Sequence, residues 1–380
     1  MKKTLMIIAG ETSGDKHAAL LVESMKKMDD LRLIGVGGDR MRSAGVELLH
    51  HVREMSVMGF SEVLSKLLFF RKVHQDLLNA IASEKPAAVI LVDYPGFNLR
   101  FAESAKKKGM KVIYFISPQV WAWGKGRIRK IRRTVDLMLT VFKFEEEMYK
   151  REDVNSHFVG HPLIDEIKSY SDSQVLEFRK TIVSGDAKIV ALLPGSRLQE
   201  ISRILPTMLE SAKALSGELR QAGVTVETVV ACAPGIDDSV YNDYVGKSGV
   251  HAHLTRDVDL LMSSADSAMV TSGTATLEAA LHELPMVVVY KTSMLNYLIG
   301  RLVVRLDTIS LVNIVAQKCI VNELVQNKFK PLVAASLVKE LLLNDGVAAE
   351  VKDKYRDLKR ILGGPGASDR AADLILKQIR

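Results

Sequence analysis

The sequence predicts an α/β protein with two doubly wound parallel-sheet domains. Three observations carry this. Short apolar runs alternate with helical patterns along nearly all of the 380 residues. Runs of that kind are strands buried on both faces, because helices cover each side of a parallel sheet. The alternation pauses once, at the polar stretch SYSDSQ (169–174), as a linker would. And the chain is longer than one core usually serves.

In the first half, TLMIIAG (4–10) is a strand and 15–29 a helix. LRLIGVGG (31–38) is a strand and 72–83 a helix; AAVILVDYP (87–95) is a buried strand that Pro95 ends. Then come a helix at 99–108, strands KVIYFIS (111–117) and VDLMLTVF (135–142), a helix at 144–151 and a short strand SHFVGHP (156–162). The second half repeats the scheme. Its strands are AKIVALLP (187–194), VTVETVVAC (224–232), VHAHLT (250–255), SAMVTSG (267–273) and MVVVYK (286–291). Between them lie helices at 199–216, 238–246, 257–263 and 274–282, with closing helices at 331–343 and 350–379. The expected division is 1–170, 171–345 and a closing segment 346–380 packed back on the first domain. Two such Rossmann-like domains, facing across a cleft, would bind ligands at the carboxyl ends of their strands.

Composition excludes several classes. At 47% hydrophobic and 26% charged the chain is neither disordered nor collagenous. Its two cysteines, Cys232 and Cys319, have no metal-ligand spacing and fit reduced thiols in a cytosolic protein. The amino-terminal apolar run, LMIIA, is too short for a signal peptide and fits a first strand. No apolar stretch is long enough to span a bilayer. HExxH, CxxC pairs and GxSxG are absent, so zinc hydrolysis and nucleophile-elbow chemistry have no support. The net charge of +7 lies wholly in residues 1–170, with 28 Lys+Arg against 21 Asp+Glu; residues 171–380 hold 24 of each. The basic half is expected to meet something acidic.

Two loops carry the chemistry. VALLPGSRLQE (190–200) and VTSGTATLEAA (270–280) each run from a strand through a Gly/Ser/Thr loop into a helix that carries a glutamate, Glu200 or Glu278. Helix amino termini of this kind receive phosphate. Arg197 can grip oxygens in a fork, and Glu278, one turn beyond Thr274, can accept from ribose hydroxyls. The pair therefore suggests one nucleoside diphosphate held between two loops of one sheet. GETSGDKHAALL (10–21) offers Glu11, Ser13, Asp15 and His17 after the first strand; the alternative is a helix cap by Ser13 or Asp15. VDYPGFNLR (92–100) puts Asp93 and Asn98 at a strand's carboxyl end, where Asp93 either reacts or braces the turn at Pro95. SPQVWAWGKGRIRKIRR (117–133) holds both tryptophans and six basic residues. It suits a phosphate or anionic headgroups, or is a solvated helix face; no nucleic-acid reading motif accompanies it. In 57–75, Phe60, Val63, Leu64, Leu67 and Leu68 follow helical spacing, while Phe69 and Phe70 widen the apolar face and Lys66, Arg71 and Lys72 flank it. Such a helix lies in a membrane interface, lines an acyl groove, or packs in a core. GGPGAS (363–368) lacks the Lys-Ser/Thr of a P-loop and reads as a turn before the last helix.

Taken together, AGETSGD (9–15), GVGGDRM (35–41), MSVMGFSEVL (55–64), SPQVWAWGKGRIRKI (117–131), FVGHPLID (158–165), LLPGSRLQEI (192–201) and TSGTATLEAAL (271–281) resemble bacterial lipid-A-disaccharide synthase over nearly the whole chain. The resemblance implies a GT-B fold and an inverting glycosyltransferase. It implies transfer of 2,3-diacylglucosamine from its UDP conjugate to the 6-hydroxyl of 2,3-diacylglucosamine 1-phosphate, at the cytoplasmic face of the bacterial inner membrane. It implies a UDP site of Ser196, Arg197, Glu200, Ser272, Gly273, Thr274, Ala275, Thr276, Glu278 and Asn313, with no metal or other cofactor, an anionic membrane surface as partner, and room for a homodimer. The family often reads Asp-x-Pro-Asp-Phe-Asn with the second Asp proposed as catalytic; here that position is Gly96, so the role does not carry over. Asp93 is the nearest carboxylate, with Glu11, Asp15 and His17 as alternatives and Arg197 supporting the leaving group. Ser310-Leu-Val-Asn313 stands where the family has Ser-Leu-Pro-Asn. The competing expectations are another UDP-sugar transferase or epimerase, and a non-catalytic nucleotide-sugar or membrane-binding module.

Overall fold

The computed structural model describes residues 2–55, 63–121, 126–183, 185–293, 297 and 308–379, with no side chains for 63–67. The chain divides into two compact units, Met1–Asp165 with Leu362–Arg380, and Glu166–Ile361.

The first unit holds β1 (Lys3–Ala9), β2 (Leu31–Gly37), β3 (Val46–His51), β4 (Val89–Val92), β5 (Val112–Phe115), β6 (Leu137–Thr140) and β7 (Ser156–Phe158), in sheet order β3-β2-β1-β4-β5-β6-β7. The second holds β8 (Lys188–Leu193), β9 (Val226–Ala231), β10 (Ala252–Thr255), β11 (Ser267–Thr271), β12 (Met286–Tyr290) and β13 (Glu323–Val325), in order β10-β9-β8-β11-β12-β13. Every pairing is parallel. The expected doubly wound architecture is therefore present in each unit. Each sheet reverses its winding once, between β1 and β4 and between β8 and β11, and ligands of such sheets collect outside the strand ends at that point.

The inner strands bury both faces: Leu5, Met6, Ile7, Ile8 and Ala9 of β1 have no exposed surface. The helix Thr12–Met28 covers one side with Ala18, Leu21, Val22 and Met25, and Leu198–Gln221 does the same in the second unit with Ile201, Ile204, Leu205, Met208 and Leu215, the spacing of one apolar stripe. Gly35 lets β2 approach β1: a Cβ there would sit 1.9 Å from the Ile7 carbonyl oxygen.

The structure corrects three sequence expectations. Strands β3 and β13 were not expected; β3 pairs only with β2 and β13 only with β12, so both are edge strands. The unit boundary falls at Asp165, five residues before the expected 170. The closing segment 346–380 does not move as one block. The helix Asp345–Ile361 belongs to the second unit, packing on Thr274–Leu281, Leu311–Ala316 and Pro331–Leu343, and only Ala367–Ile379 returns to the first unit, against Thr12–Met28. FVGHPLID is the seat of that return: Asp165 accepts from the amides of Gly366 (2.6 Å) and Ala367 (3.0 Å), and Arg370 donates to the Val159 carbonyl at 2.8 Å. Of the three readings open for 57–75, the half-buried Phe69 and Phe70 follow the core one. They pack against the first unit's core, with Phe70 6.0 Å from the Phe97 ring. The side chains of Phe60, Val63, Leu64, Lys66 and Leu67 lie outside the described residues, and Leu68 is exposed. Among the described residues no helix is long and apolar enough to cross a membrane.

Candidate functional site at the two winding reversals

All four Gly- or Asp-bearing loops singled out in the sequence sit at the winding reversals. Residues 10–15 follow β1 and 93–98 follow β4; residues 194–200 follow β8 and 272–278 follow β11.

At the β1/β4 reversal the backbone turns sharply. Asp93 and Tyr94 both have φ 47°, a left-handed conformation that costs a non-glycine residue about 1–3 kcal/mol. Several bonds impose it. The Asp93 amide donates to the Phe115 carbonyl (3.0 Å), while the Asp93 carbonyl accepts from the Tyr114 hydroxyl (2.6 Å) and the Asn98 amide (2.8 Å). Asn98 is fully buried and also donates to the Val92 carbonyl at 3.1 Å, so it braces the turn. The Tyr94 ring takes the space beside Gly10, where a Cβ would lie 2.1 Å from it; this explains the glycine that opens the first loop. The Asp93 side chain is thereby desolvated. Burial, reinforced by the neighbouring Glu11 charge, pushes its carboxyl up to about 6; the Tyr94 amide and His17 pull the other way. Glu11 itself is exposed at the start of the helix Thr12–Met28.

Asp15, an alternative base in the sequence reading, is spent elsewhere. It is 4% exposed and accepts from the amides of Gly38 (2.6 Å), Met41 (3.1 Å) and Arg40 (3.2 Å). A Cβ at Gly38 would lie 2.5 Å from its carboxylate. AGETSGD and GVGGDRM are thus two halves of one clamp between the β1 and β2 loops. Gly96, by contrast, faces open space, with nothing within 4 Å of a Cβ built there.

At the β8/β11 reversal the loops are more exposed. Arg197 begins the helix Leu198–Gln221, its side chain 71% exposed and one guanidinium nitrogen 3.1 Å from Glu200. Glu200 turns inward and accepts from the amides of Ser196 (3.1 Å) and Arg197 (3.3 Å). In this structure it therefore acts as the loop's own anion, bonded to two of the amides that the sequence expectation gave to a nucleotide. On the other loop, Gly273 begins the helix Thr274–Leu281, with Thr274 exposed and Ala275 and Glu278 half-buried. Ser272 donates its hydroxyl to the Ile309 carbonyl at 2.8 Å. Thr276 is fully buried and donates to the Gly273 carbonyl at 2.8 Å, so in this structure its side chain shapes the turn.

Asn313 is a second correction. It is 2% exposed. Its amide oxygen accepts from Ile320 (2.7 Å) and Val321 (3.0 Å), and its nitrogen donates to the Val321 carbonyl (3.0 Å) and to Glu323 (2.7 Å). Those four bonds exhaust a primary amide, leaving nothing for a nucleotide sugar. Glu323 completes the brace by accepting from the amides of Ile309 (2.9 Å) and Ser310 (3.1 Å). Hydrogen bonds from Thr308, Ile309 and Ser310 outweigh burial and hold its carboxyl below the usual range.

Sequence reasoning missed Glu323 and a second buried acid, Glu145. Glu145 is 1% exposed and accepts from the Trp121 indole at 2.9 Å; burial pushes its carboxyl up to about 7, against opposing hydrogen bonds led by Trp121. A FEEE run at 144–147 reads as a solvated helix start, and nothing in it marks which glutamate turns inward. Of the basic segment, Lys130 pairs with Glu103 at 2.9 Å, while Arg129 and Arg133 are exposed and make no ion pair among the described residues. Among the described residues the one group able to offer three metal-ligand atoms, Glu227, His251 and His253, lies at the amino ends of β9 and β10. That is the opposite end of the sheet from the loops above.

Comparison with known proteins shows the family and the fold. The family model described as lipid-A-disaccharide synthetase matches residues 5–376. The lipid-A-disaccharide synthase of Myxococcus xanthus is 40% identical over 376 residues, covering 98% of this chain and 97% of its own length. That of Syntrophus aciditrophicus is 41% identical over 382 residues, covering 100% and 98%. In fold the chain is similar to the kitacinnamycin glycotransferase (TM-score 0.66, 14% identity, 100% of both chains). It is also similar to a UDP-GlcNAc 2-epimerase from Neisseria meningitidis solved with UDP-GlcNAc (TM-score 0.61, 12% identity, 100% of this chain and 99% of that one). Two parallel-sheet units of this kind are the GT-B architecture, and the chain belongs to the lipid-A-disaccharide synthetase family.

Proposed function

We propose that this protein transfers 2,3-diacylglucosamine from UDP-2,3-diacylglucosamine to the 6-hydroxyl of 2,3-diacylglucosamine 1-phosphate. The products are the β-1,6-linked disaccharide 1-phosphate and UDP. Family membership supports the substrates, and one structural observation carries the mechanism: the two reversals bear complementary chemistry. One holds a desolvated carboxyl, Asp93, raised to about 6. The other presents an exposed guanidinium, Arg197, and the amino terminus of the helix Thr274–Leu281.

In this reading the acceptor oxygen attacks the anomeric carbon while its proton passes to Asp93, which is mostly ionised above pH 6 and so able to accept it. The bond from the anomeric carbon to the diphosphate oxygen breaks with its electron pair, and UDP leaves. Arg197, Ser196 and the backbone of Ser272, Gly273, Thr274 and Ala275 stabilise the charge that develops there. Glu278 accepts from the ribose hydroxyls. Glu11 keeps the Asp93 carboxyl basic. The basic segment 117–133 receives the acceptor phosphate and anionic headgroups at a membrane surface.

The test is UDP release from UDP-2,3-diacylglucosamine on adding 2,3-diacylglucosamine 1-phosphate, with wild type beside Asp93→Asn. Acceptor-dependent release that collapses in the variant is expected. Undiminished release in the variant would move the base to Glu11 or His17. Equal use of unacylated substrates would favour another UDP-sugar enzyme, and no release from wild type would favour a non-catalytic module.

A further inference from the structure

The tryptophan-basic segment is tethered at one end by a buried acid. Ser117 follows β5, and Val120 is buried in the first unit's core. The Pro118 carbonyl accepts from the Tyr149 hydroxyl at 3.3 Å. Trp121, half-buried, lays its ring edge-on against Phe144 at 5.5 Å and donates its indole N–H to Glu145 at 2.9 Å. Phe144 in turn stacks on Phe142 at 5.6 Å. Beyond this tether the chain reaches the helix Arg127–Thr134. There Ile128 and Ile131 point into the core, while Arg129 and Arg133, one turn apart, face outward.

A solvated helix start needs no buried glutamate. Of the three acids in FEEE, Glu147 is exposed and Glu146 pairs with Lys150 at 2.7 Å. Only Glu145 turns inward, and its one hydrogen bond of ordinary length to a side chain among the described residues goes to Trp121. Burying a carboxyl is costly unless its partner matters. An indole N–H is a donor only, so an acceptor is required to hold it. The other groups facing Glu145 are the Ser117 and Tyr149 hydroxyls and the backbone of Val141 and Phe142, and no cation faces it among the described residues.

We propose that Glu145 is a positioning residue. By anchoring Trp121 it fixes the basic segment beside the β4 and β5 ends, and so sets the affinity for the acceptor's phosphate. This rests on the transfer reaction proposed above. Glu145 touches no reacting atom; it acts through Trp121.

The experiment compares wild type, Glu145→Gln and Glu145→Leu by steady-state kinetics in both substrates. Loss of one buried hydrogen bond should raise the acceptor KM about tenfold in Glu145→Leu. KM for the UDP donor should stay within about twofold, and Glu145→Gln, which keeps an acceptor for the indole, should return near wild type. Far-ultraviolet circular dichroism and thermal unfolding check that the first unit, which carries Glu145, is folded in each variant. A second arm needs no turnover: in a Trp123→Phe background, Trp121 emission should shift to the red in Glu145→Leu and not in Glu145→Gln. An acceptor KM unchanged in Glu145→Leu would overturn the proposal, as would Trp121 emission identical in all three proteins. Absence of transfer in wild type would defeat the reaction reading while the emission arm still judged the anchor.

Discussion

The two winding reversals share a topology and differ in what they do with charge. At β1/β4 two acids are drawn inward while Glu11 stays exposed: Asp15 is consumed by three backbone amides and Asp93 is desolvated by a left-handed turn. At β8/β11 the one inward acid, Glu200, only shapes its loop, while Arg197 remains exposed at a helix start. Burial raises a carboxyl's affinity for protons, which suits taking a proton from a hydroxyl. Exposure with a helix amino terminus suits receiving an anion. In the proposed reaction, one fold used twice would thus supply a site for proton transfer and a site for a diphosphate.

The largest expected effect breaks the first half of this comparison. Asp93→Asn should lower turnover by about 10²–10⁴, and wild-type activity should rise with pH through about 6. A flat pH profile between 5 and 8 would remove Asp93 as the base. Next, Arg197→Ala should cost about 10²–10³ in turnover with the fold intact; near-normal turnover would refute its leaving-group role.

Stability sharpens the contrast. The Asp93 carboxyl is raised in the folded protein, so its neutral form favours folding. That contribution is complete below the unfolded value near 3.8 and is lost as pH rises through about 6. Asp93→Asn should therefore match wild type near pH 4 and be more stable at pH 8, by at most about 3 kcal/mol. Denaturant unfolding at the two pH values measures this, and a difference independent of pH would count against the desolvated turn. In the second unit, Asn313→Ala should destabilise by about 1–3 kcal/mol through the partners it strands, with little change in UDP affinity once folded. Weakened UDP binding at unchanged stability would restore Asn313 as a ligand contact. The smallest effect is expected at Gly96. Because a Cβ there meets nothing within 4 Å and the helix Pro95–Lys107 favours an acid in its first turn, Gly96→Asp should change stability by less than about 1 kcal/mol. Added to Asp93→Asn, it should recover part of the lost turnover. Turnover no higher than in Asp93→Asn alone would show that position 96 does not reach the acceptor.

The sequence by itself determined the inner strands and the four loops at their ends, because these follow from local patterns: continuous apolar runs, helical stripes and Gly-bearing turns. It also held enough motif to name the family. It did not yield β3, whose residues are mostly half-exposed, or β13, which is three residues long; edge strands carry weak apolar signals. Only the tertiary structure decided which polar side chains face a ligand and which are spent inside. Asp15 meets Gly38 across 23 residues, Trp121 meets Glu145 across 24, and Asn313 closes on Ile320 and Glu323. Spacing along the chain cannot say which donor will saturate which acceptor, because that choice is made by distance in the folded chain and by the cost of leaving a buried polar group unpaired. For the same reason Phe69 and Phe70, apolar in any reading, came to pack half-buried against the core through the neighbours that the fold brought to them.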